Sequence, residues 1–257
     1  MSDIFCLIKD QLAFVTLSNP GKLNAIDVTM WNALREQFTT LSQNEDLRCV
    51  IIKGADGNFA AGADIEEFAT VRNNLEDGMF YHNDTVALAL QAISECRHPV
   101  IAAIEGICVG GGLEIACTCD IRIAAPDARF GIPINRLGFP LAPEELRGLL
   151  ELTGKAVALE ILLEGRIFDA MEAKDKGLLN RLSDDAQAEA LATALRITKG
   201  APTAARINKQ LVKRLTASSP PLSEDEAHAV FAFLETKDYR EGVASFLDKR
   251  PPQFTGK

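Results

Sequence analysis

Residues 101–120 read IAAIEGICVGGGLEIACTCD. An apolar run of strand character is interrupted by Gly110, Gly111 and Gly112, and Glu114 follows almost at once. The run is apolar enough to raise a membrane span. Glu105, Glu114, Asp120 and Arg122 within one window, together with the glycines, argue against it. A strand ending at Gly106 and a helix starting near Gly112 place the triplet at a helix N-terminus, where several backbone N–H groups have no intrahelical partner. Those donors, aided by the helix dipole, suit a negative ligand or a developing oxyanion, and glycine lets it approach closely.

Working outward, IFCLI (4–8) and LAFVTL (12–17) are strand-like runs separated by Lys9, Asp10 and Gln11, a β-hairpin pattern. The turn-rich SNPGKLNA (18–25) leads into a helix over 27–43, with Asp27 as cap and Met30, Leu34, Phe38 and Leu41 at helical spacing. CVIIKG (49–54) reads as a buried strand, 55–68 as a loop and about 76–96 as a helix. Strands over 99–106 and 120–125 flank the glycines and a short helix. This alternation predicts an α/β architecture over 1–183. From about 184 to 257, alanine-rich and charged helical patterns dominate, broken near Ala201-Pro202 and at SSPP (218–221). They predict a helical C-terminal subdomain whose apolar face docks on the first domain or on another subunit.

Hydrophobic residues at 47% and charged residues at 25% are ordinary globular composition. With 27 basic against 36 acidic residues the net charge is −9, so the surface field repels nucleic acid and anionic membrane. An anionic ligand therefore needs a local basic patch. The N-terminal MSDIFCLIKDQLAF has no basic region followed by a long apolar run, so no secretory signal is read and a soluble, cytoplasmic protein is expected. The six cysteines lack C-x-x-C spacing and read as buried, reduced thiols rather than a metal or redox site.

The spacing around Gly110 to Gly112 is not G-x-G-x-x-G, carries no Gly-Lys-Ser/Thr and no G-x-S-x-G, so hydride transfer, phosphoryl transfer and serine hydrolysis lose support. Taken alone, the glycines could serve tight packing and Glu114 could complement the helix dipole. A second loop, NFAAGADI (58–65), shifts the balance. It follows a buried strand at the edge where α/β folds bind ligands, and two separated backbone donors converging on one carbonyl would form an oxyanion hole.

KLNA (22–25), FAAGAD (59–64), PVIAAIEGICVGGGLEIACTCDIRIA (99–124) and FLETKDYREGVASFLDKRPPQF (233–254) together resemble the crotonase, or enoyl-CoA hydratase/isomerase, superfamily over nearly the whole chain. The resemblance implies a spiral core of repeated ββα turns, and a helical C-terminal region that builds trimers or hexamers. It also implies an acyl-CoA thioester substrate, with coenzyme A part of that substrate and no separate cofactor. Its carbonyl would be held by the N–H groups of Ala63 and Gly111. Lys22, Leu23, Ala61, Asp64, Ile65, Phe246 and Lys249 fall at positions lining the CoA site, and Lys22 and Lys249 would supply the basic patch. Polarising a thioester carbonyl stabilises an enolate, and a nearby carboxylate can move protons at Cα or Cβ. Glu114, one helical turn past Gly111, is placed to do so.

The chain departs from the family where hydratases carry a second glutamate. The corresponding stretch is FGIPINRLGFP (130–140), with Ile134 at the acid's position, and LAPEEL (141–146) replaces a glycine-rich segment. Glu144 and Glu145 are close enough to be suspected as substitutes, but first-turn acids of the helix after Pro143 are the better reading. His82, His98 and His228 match no family role and read as surface or satisfied residues. The leading expectation is an enoyl-CoA hydratase-like enzyme with Glu114 as sole acid/base. A double-bond isomerase using the same residues, or a weakly active acyl-CoA-binding protein, is the alternative.

Overall fold

In the computed structural model, which describes residues 2–216 and 223–253, strands β1 (Asp3–Lys9) and β2 (Leu12–Ser18) pair antiparallel from Asp3 opposite Ser18 to Lys9 opposite Leu12. The intervening turn is made by Asp10, at φ 54°, and Gln11. Helix α1 (Val28–Gln43) starts where expected: the Asp27 carboxylate accepts from the Met30 N–H, a cap worth about 1 kcal/mol. Met30, Trp31, Leu34, Phe38 and Leu41 make its buried stripe. Strand β3 (Cys49–Gly54) then pairs parallel to β2.

The predicted helix over 76–96 is three pieces. Behind the short α2 (Phe68–Val71) come α3 (Leu75–Phe80), a π-helical turn over Tyr81–Val86, and α4 (Ala87–Glu95). The wider turn buries Tyr81, His82, Thr85 and Val86 together.

Strand β4 (Val100–Ile104) does not run on to Gly106. The chain turns there into β5 (Ile107–Val109), because the loop at 59–60 captures it: Phe59 N–H donates to the Glu105 carbonyl and Ala60 N–H to that of Ile107, both at 2.9 Å. Helix α5 (Gly111–Thr118), β6 (Ile121–Ala124) and β7 (Arg129–Gly131) follow. Next are α6 (Pro143–Glu164), β8 (Phe168–Asp169), α7 (Ala170–Asp175) and β9 (Arg181–Leu182). Six strands form one sheet in the order β1-β2-β3-β4-β6-β9, and β5, β7 and β8 form a second. Successive turns of chain thus run through a main-sheet strand, a short segment in the second layer and a helix, as in β4-β5-α5 and β6-β7-α6. This is the ββα spiral that the resemblance implies.

Both faces of the main sheet are covered, as parallel sheets require. Val50, Ile52, Val100, Ala102 and Ile104 face the core with α1 and α4. Their alternates Cys49, Ile51, Ile101, Ala103 and Ile123 pack on Ala186, Ala190 and Ala194 of α8 (Ala186–Thr198). The remaining helices are α9 (Pro202–Thr216), α10 (Glu224–Phe231) and α11 (Lys237–Leu247). Lys209 ties α9 to Asp120 at 2.8 Å. Gly242 of α11 lies so close to Leu137 that an added Cβ would sit 2.0 Å from its carbonyl oxygen. The SSPP break and Phe254 lie outside the described residues. Among the described residues no helix is long and apolar enough to cross a membrane. Five cysteines are buried, Cys6 is half-buried, and all six are free thiols.

Candidate active site

The glycine triplet has a different task at each position. Gly110 adopts φ 51°, ψ −123°, a conformation costly for a side chain, and its N–H donates to the Gly131 carbonyl at 2.9 Å. Gly112 presses on the neighbouring loop: an added Cβ would lie 2.3 Å from the Ala60 carbonyl oxygen. At Gly111 an added Cβ would meet the Trp31 ring at 3.0 Å and the Ala63 nitrogen at 3.4 Å, so its absence keeps the space between two backbone amides open. The far end of α5 is held by buried Arg122, whose guanidinium donates to the carbonyls of Ala116, Cys119 and Leu178.

The second amide comes from the loop after β3. A parallel bridge joins Ile26 and Ala63: Ile26 N–H donates to the Gly62 carbonyl at 2.8 Å, and Asp64 N–H to the Ile26 carbonyl at 2.9 Å. That pattern leaves the Ala63 N–H off the ladder. The Gly111 N–H, in the first turn of α5, has no intrahelical acceptor. Ala63 and Gly111 line one cavity of about 500 Å³ together with Glu114.

Glu114 is 7% exposed. Burial pushes its carboxyl well above the ordinary range, the charge of Glu145 adds to the rise, and the Arg72 guanidinium opposes it. A group so placed holds its proton more tightly than an ordinary carboxyl, which suits it to act as an acid. Glu145, 6% exposed, also lines the cavity, and His82 Nδ1 lies 2.5 Å from its Oε1. Burial lowers the His82 pKa more than Glu145 raises it, so the ring is neutral and Nδ1–H donates to the carboxylate. The imidazole stacks on Phe231 at 5.3 Å and meets Tyr81 edge-on at 5.2 Å. Arg72 is buried with its guanidinium 4.2 Å from the Phe68 and Phe139 ring centres.

The structure separates the two glutamates and places His82. Glu144 is the first-turn acid foreseen: it is exposed at the surface, ion-paired to Arg147 at 2.7 Å, with its pKa lowered chiefly by that hydrogen bond. Glu145 shares that first turn, but one residue further along the helix turns its side chain inward, onto the cavity wall. His82 is a buried histidine satisfied at Nδ1 by Glu145, and the π-helical turn carries it to the cavity wall. His98 is buried and outside the cavity, and His228 is exposed.

Ala61, Asp64, Ile65, Ile134 and Phe246 line the cavity, Ile134 beside Leu137, Phe139 and Leu141. Lys22 lines it too, but its ammonium is bound by Asp64 at 2.6 Å and Glu66 at 2.8 Å, which hold its pKa above the usual lysine value. Its charge is thus largely answered within the protein. Asp64 also accepts from the Glu66 N–H, capping the 3₁₀ turn Ile65–Glu67. Leu23 and Lys249 are exposed and do not reach the cavity wall. Arg136, exposed on the cavity's rim, has no ion-pair partner among the described residues and was not foreseen. Arg72 carried no signal in the sequence. Glu145 did: it lies four residues before Leu149, a buried position of the same helix, and so on the same helical face.

The enoyl-CoA hydratase/isomerase family model matches residues 8–257. A Mycobacterium tuberculosis protein named "Probable enoyl-CoA hydratase echA8" is 38% identical over 253 residues, covering 96% of each chain. An enoyl-CoA hydratase/carnithine racemase of Magnetospirillum magneticum is 46% identical, with a TM-score of 0.82 over 100% of this chain and 97% of that one. A methylmalonyl-CoA decarboxylase in complex with 2-nitronate-propionyl-CoA superposes at TM-score 0.88 with 25% identity, covering 99% and 98%.

Proposed function

Since the chain belongs to the enoyl-CoA hydratase/isomerase family, an enzyme family, we propose that it adds water across the double bond of a 2-enoyl-CoA thioester. The observation that carries this reading is the convergence of the Ala63 and Gly111 amides with a buried Glu114 of raised pKa on one cavity. The thioester oxygen accepts from both N–H groups, which strengthen their hold as negative charge develops on it. Water adds at Cβ, the π electrons pass into the enolate, Glu114 delivers its proton to Cα, and the proton the added water sheds returns to Glu114 and resets it. Losing one such amide costs about 10²–10³ in rate, and losing the acid about 10²–10⁴.

Ala61, Asp64, Ile65 and Phe246 border the path for the pantetheine arm, Ile134 borders the acyl chain, and Lys22, Leu23 and Lys249 lie towards the CoA end. Coenzyme A belongs to the substrate, and no separate cofactor is invoked. Ile134, in place of a second acid, favours one further reading: double-bond isomerisation, in which Glu114 alone carries a proton between two carbons. Incubation with a 2-enoyl-CoA and, separately, a 3-enoyl-CoA, followed by mass spectrometry, decides between them. Hydration adds the mass of one water, and isomerisation adds nothing. No turnover of either substrate would remove the reading altogether. We assign the protein to the cytoplasm as a homotrimer or a dimer of trimers assembled through its C-terminal helices; light scattering on the purified chain tests the assembly.

A further inference from the structure

Hydration requires a group that takes a proton from water as its oxygen attacks Cβ, and Ile134 cannot do so. The cavity holds a second buried carboxylate. Glu145, in the first turn of α6, lines the same space as Glu114, and each lies within the other's electrostatic reach. Its orientation is not left to rotamer choice, because His82 Nδ1, on the same cavity wall, grips Oε1 at 2.5 Å. The imidazole is itself clamped between Phe231 and Tyr81. A surface acid would not be supported in this way. A buried carboxylate gripped by an imidazole N–H is aimed, as a general base must be.

We propose that Glu145, positioned by His82, is the general base that activates the attacking water, replacing the acid absent at Ile134. This rests on the hydration reading above. The step balances as follows. The water oxygen bonds to Cβ while its proton passes to the Glu145 carboxylate. The Cα=Cβ π pair moves into the thioester as an enolate. The enolate reverts to a thioester as Cα takes the Glu114 proton. Glu145 is left protonated and Glu114 ionised, and return of the proton to Glu114 resets the site. The two carboxyls have opposite roles because their surroundings differ: Glu145 is gripped by an N–H donor, whereas Glu114 has burial and the Glu145 charge against its ionisation.

The test compares Glu145→Gln, Glu114→Gln, His82→Ala and His82→Asn in the full-length protein. Two readouts are used: hydration of a 2-enoyl-CoA, and exchange of the Cα hydrogens of butanoyl-CoA with solvent deuterium. Exchange needs the two amides and Glu114 but no attacking water. Glu145→Gln is expected to lower hydration kcat about 100-fold or more while exchange persists or quickens, since removing the Glu145 charge eases ionisation of Glu114. Glu114→Gln is expected to lose both. Without its donor, Glu145 is no longer aimed. In His82→Ala hydration kcat should therefore fall about tenfold while exchange is kept, and His82→Asn, which keeps an N–H near the Nδ1 position, should restore hydration. Hydration by Glu145→Gln within threefold of the parent overturns the inference and leaves the hydratase reading standing. Equal loss of exchange and hydration in that variant, or unchanged hydration in His82→Ala, overturns it too. A parent protein that exchanges Cα hydrogens but hydrates no 2-enoyl-CoA removes the hydratase reading and this inference with it.

Discussion

Gly112→Ala isolates the contact on which the site's geometry depends. An added Cβ would stand 2.3 Å from the Ala60 carbonyl oxygen and 3.0 Å from the carbonyl carbon, where ordinary contact begins near 3.4 Å. Ala60 cannot yield, because its N–H is bonded to the Ile107 carbonyl at 2.9 Å and its carbonyl to the Val109 N–H at 3.0 Å. The start of α5 must therefore move away by roughly 1 Å, taking the Gly111 amide with it. Overpacking of this kind costs about 1–3 kcal/mol, whereas replacing a helical glycine by alanine recovers about 0.5–1 kcal/mol. The strain wins, and the melting temperature should fall by about 2–6 °C. Displacing an oxyanion donor by such a distance should lower kcat for the 2-enoyl-CoA about 100-fold. Steady-state hydration and a thermal melt, each run beside Gly200→Ala, give the comparison. At Gly200 an added Cβ meets nothing closer than the Ile197 carbonyl at 3.4 Å, so that variant should match the parent. If Gly112→Ala kept kcat within threefold and melted with the parent, α5 and the 59–63 loop would not be locked together and the account of the triplet would fail.

Three further expectations follow from charge. The raised Glu114 pKa makes its ionisation oppose folding, so the parent loses stability as pH rises from about 4.5 towards the folded-state value; Glu114→Gln should melt higher than the parent at pH 8 and nearly with it at pH 4.5, and a parallel offset at both pH values would contradict this. Burial lowers the His98 pKa to about 4, so its contribution is intact above pH 6.5 and is lost as pH falls towards 4. His98→Asn should flatten the melting temperature across that window relative to the parent, and an unchanged slope would show that His98 does not titrate there. Arg136→Ala should raise KM for an acyl-CoA about five- to tenfold, near the weight of one charge-assisted hydrogen bond. Lys22→Ala should raise it less, because Asp64 and Glu66 already hold that ammonium, and the reverse order would identify Lys22 as the phosphate-binding cation.

The hairpin, α1 and its Asp27 cap, and the strand at 49–54 were legible because each depends on residues close in sequence. Period, cap and turn chemistry act within a few positions of one another. The same holds for GGGLE: Glu114 lies one turn beyond Gly111 on any helix that starts there. β5 was not legible, because it forms only when Phe59 and Ala60 capture the chain at Glu105 and Ile107.

The sequence by itself pointed to one half of the proposed site, two backbone amides and one acid, through local motifs whose geometry travels with the backbone. Only the tertiary structure decided the other half. Glu144 and Glu145 are chemically identical neighbours, and which one is buried depends on how α6 sits against α5. His82, 63 residues from Glu145 in the chain, reaches it only because the π-helical turn rotates the ring towards that carboxylate. A cluster of charges pays its desolvation cost only when all its members arrive together. Neither a carboxylate nor an imidazole reveals its place in such a cluster until the fold has closed around it.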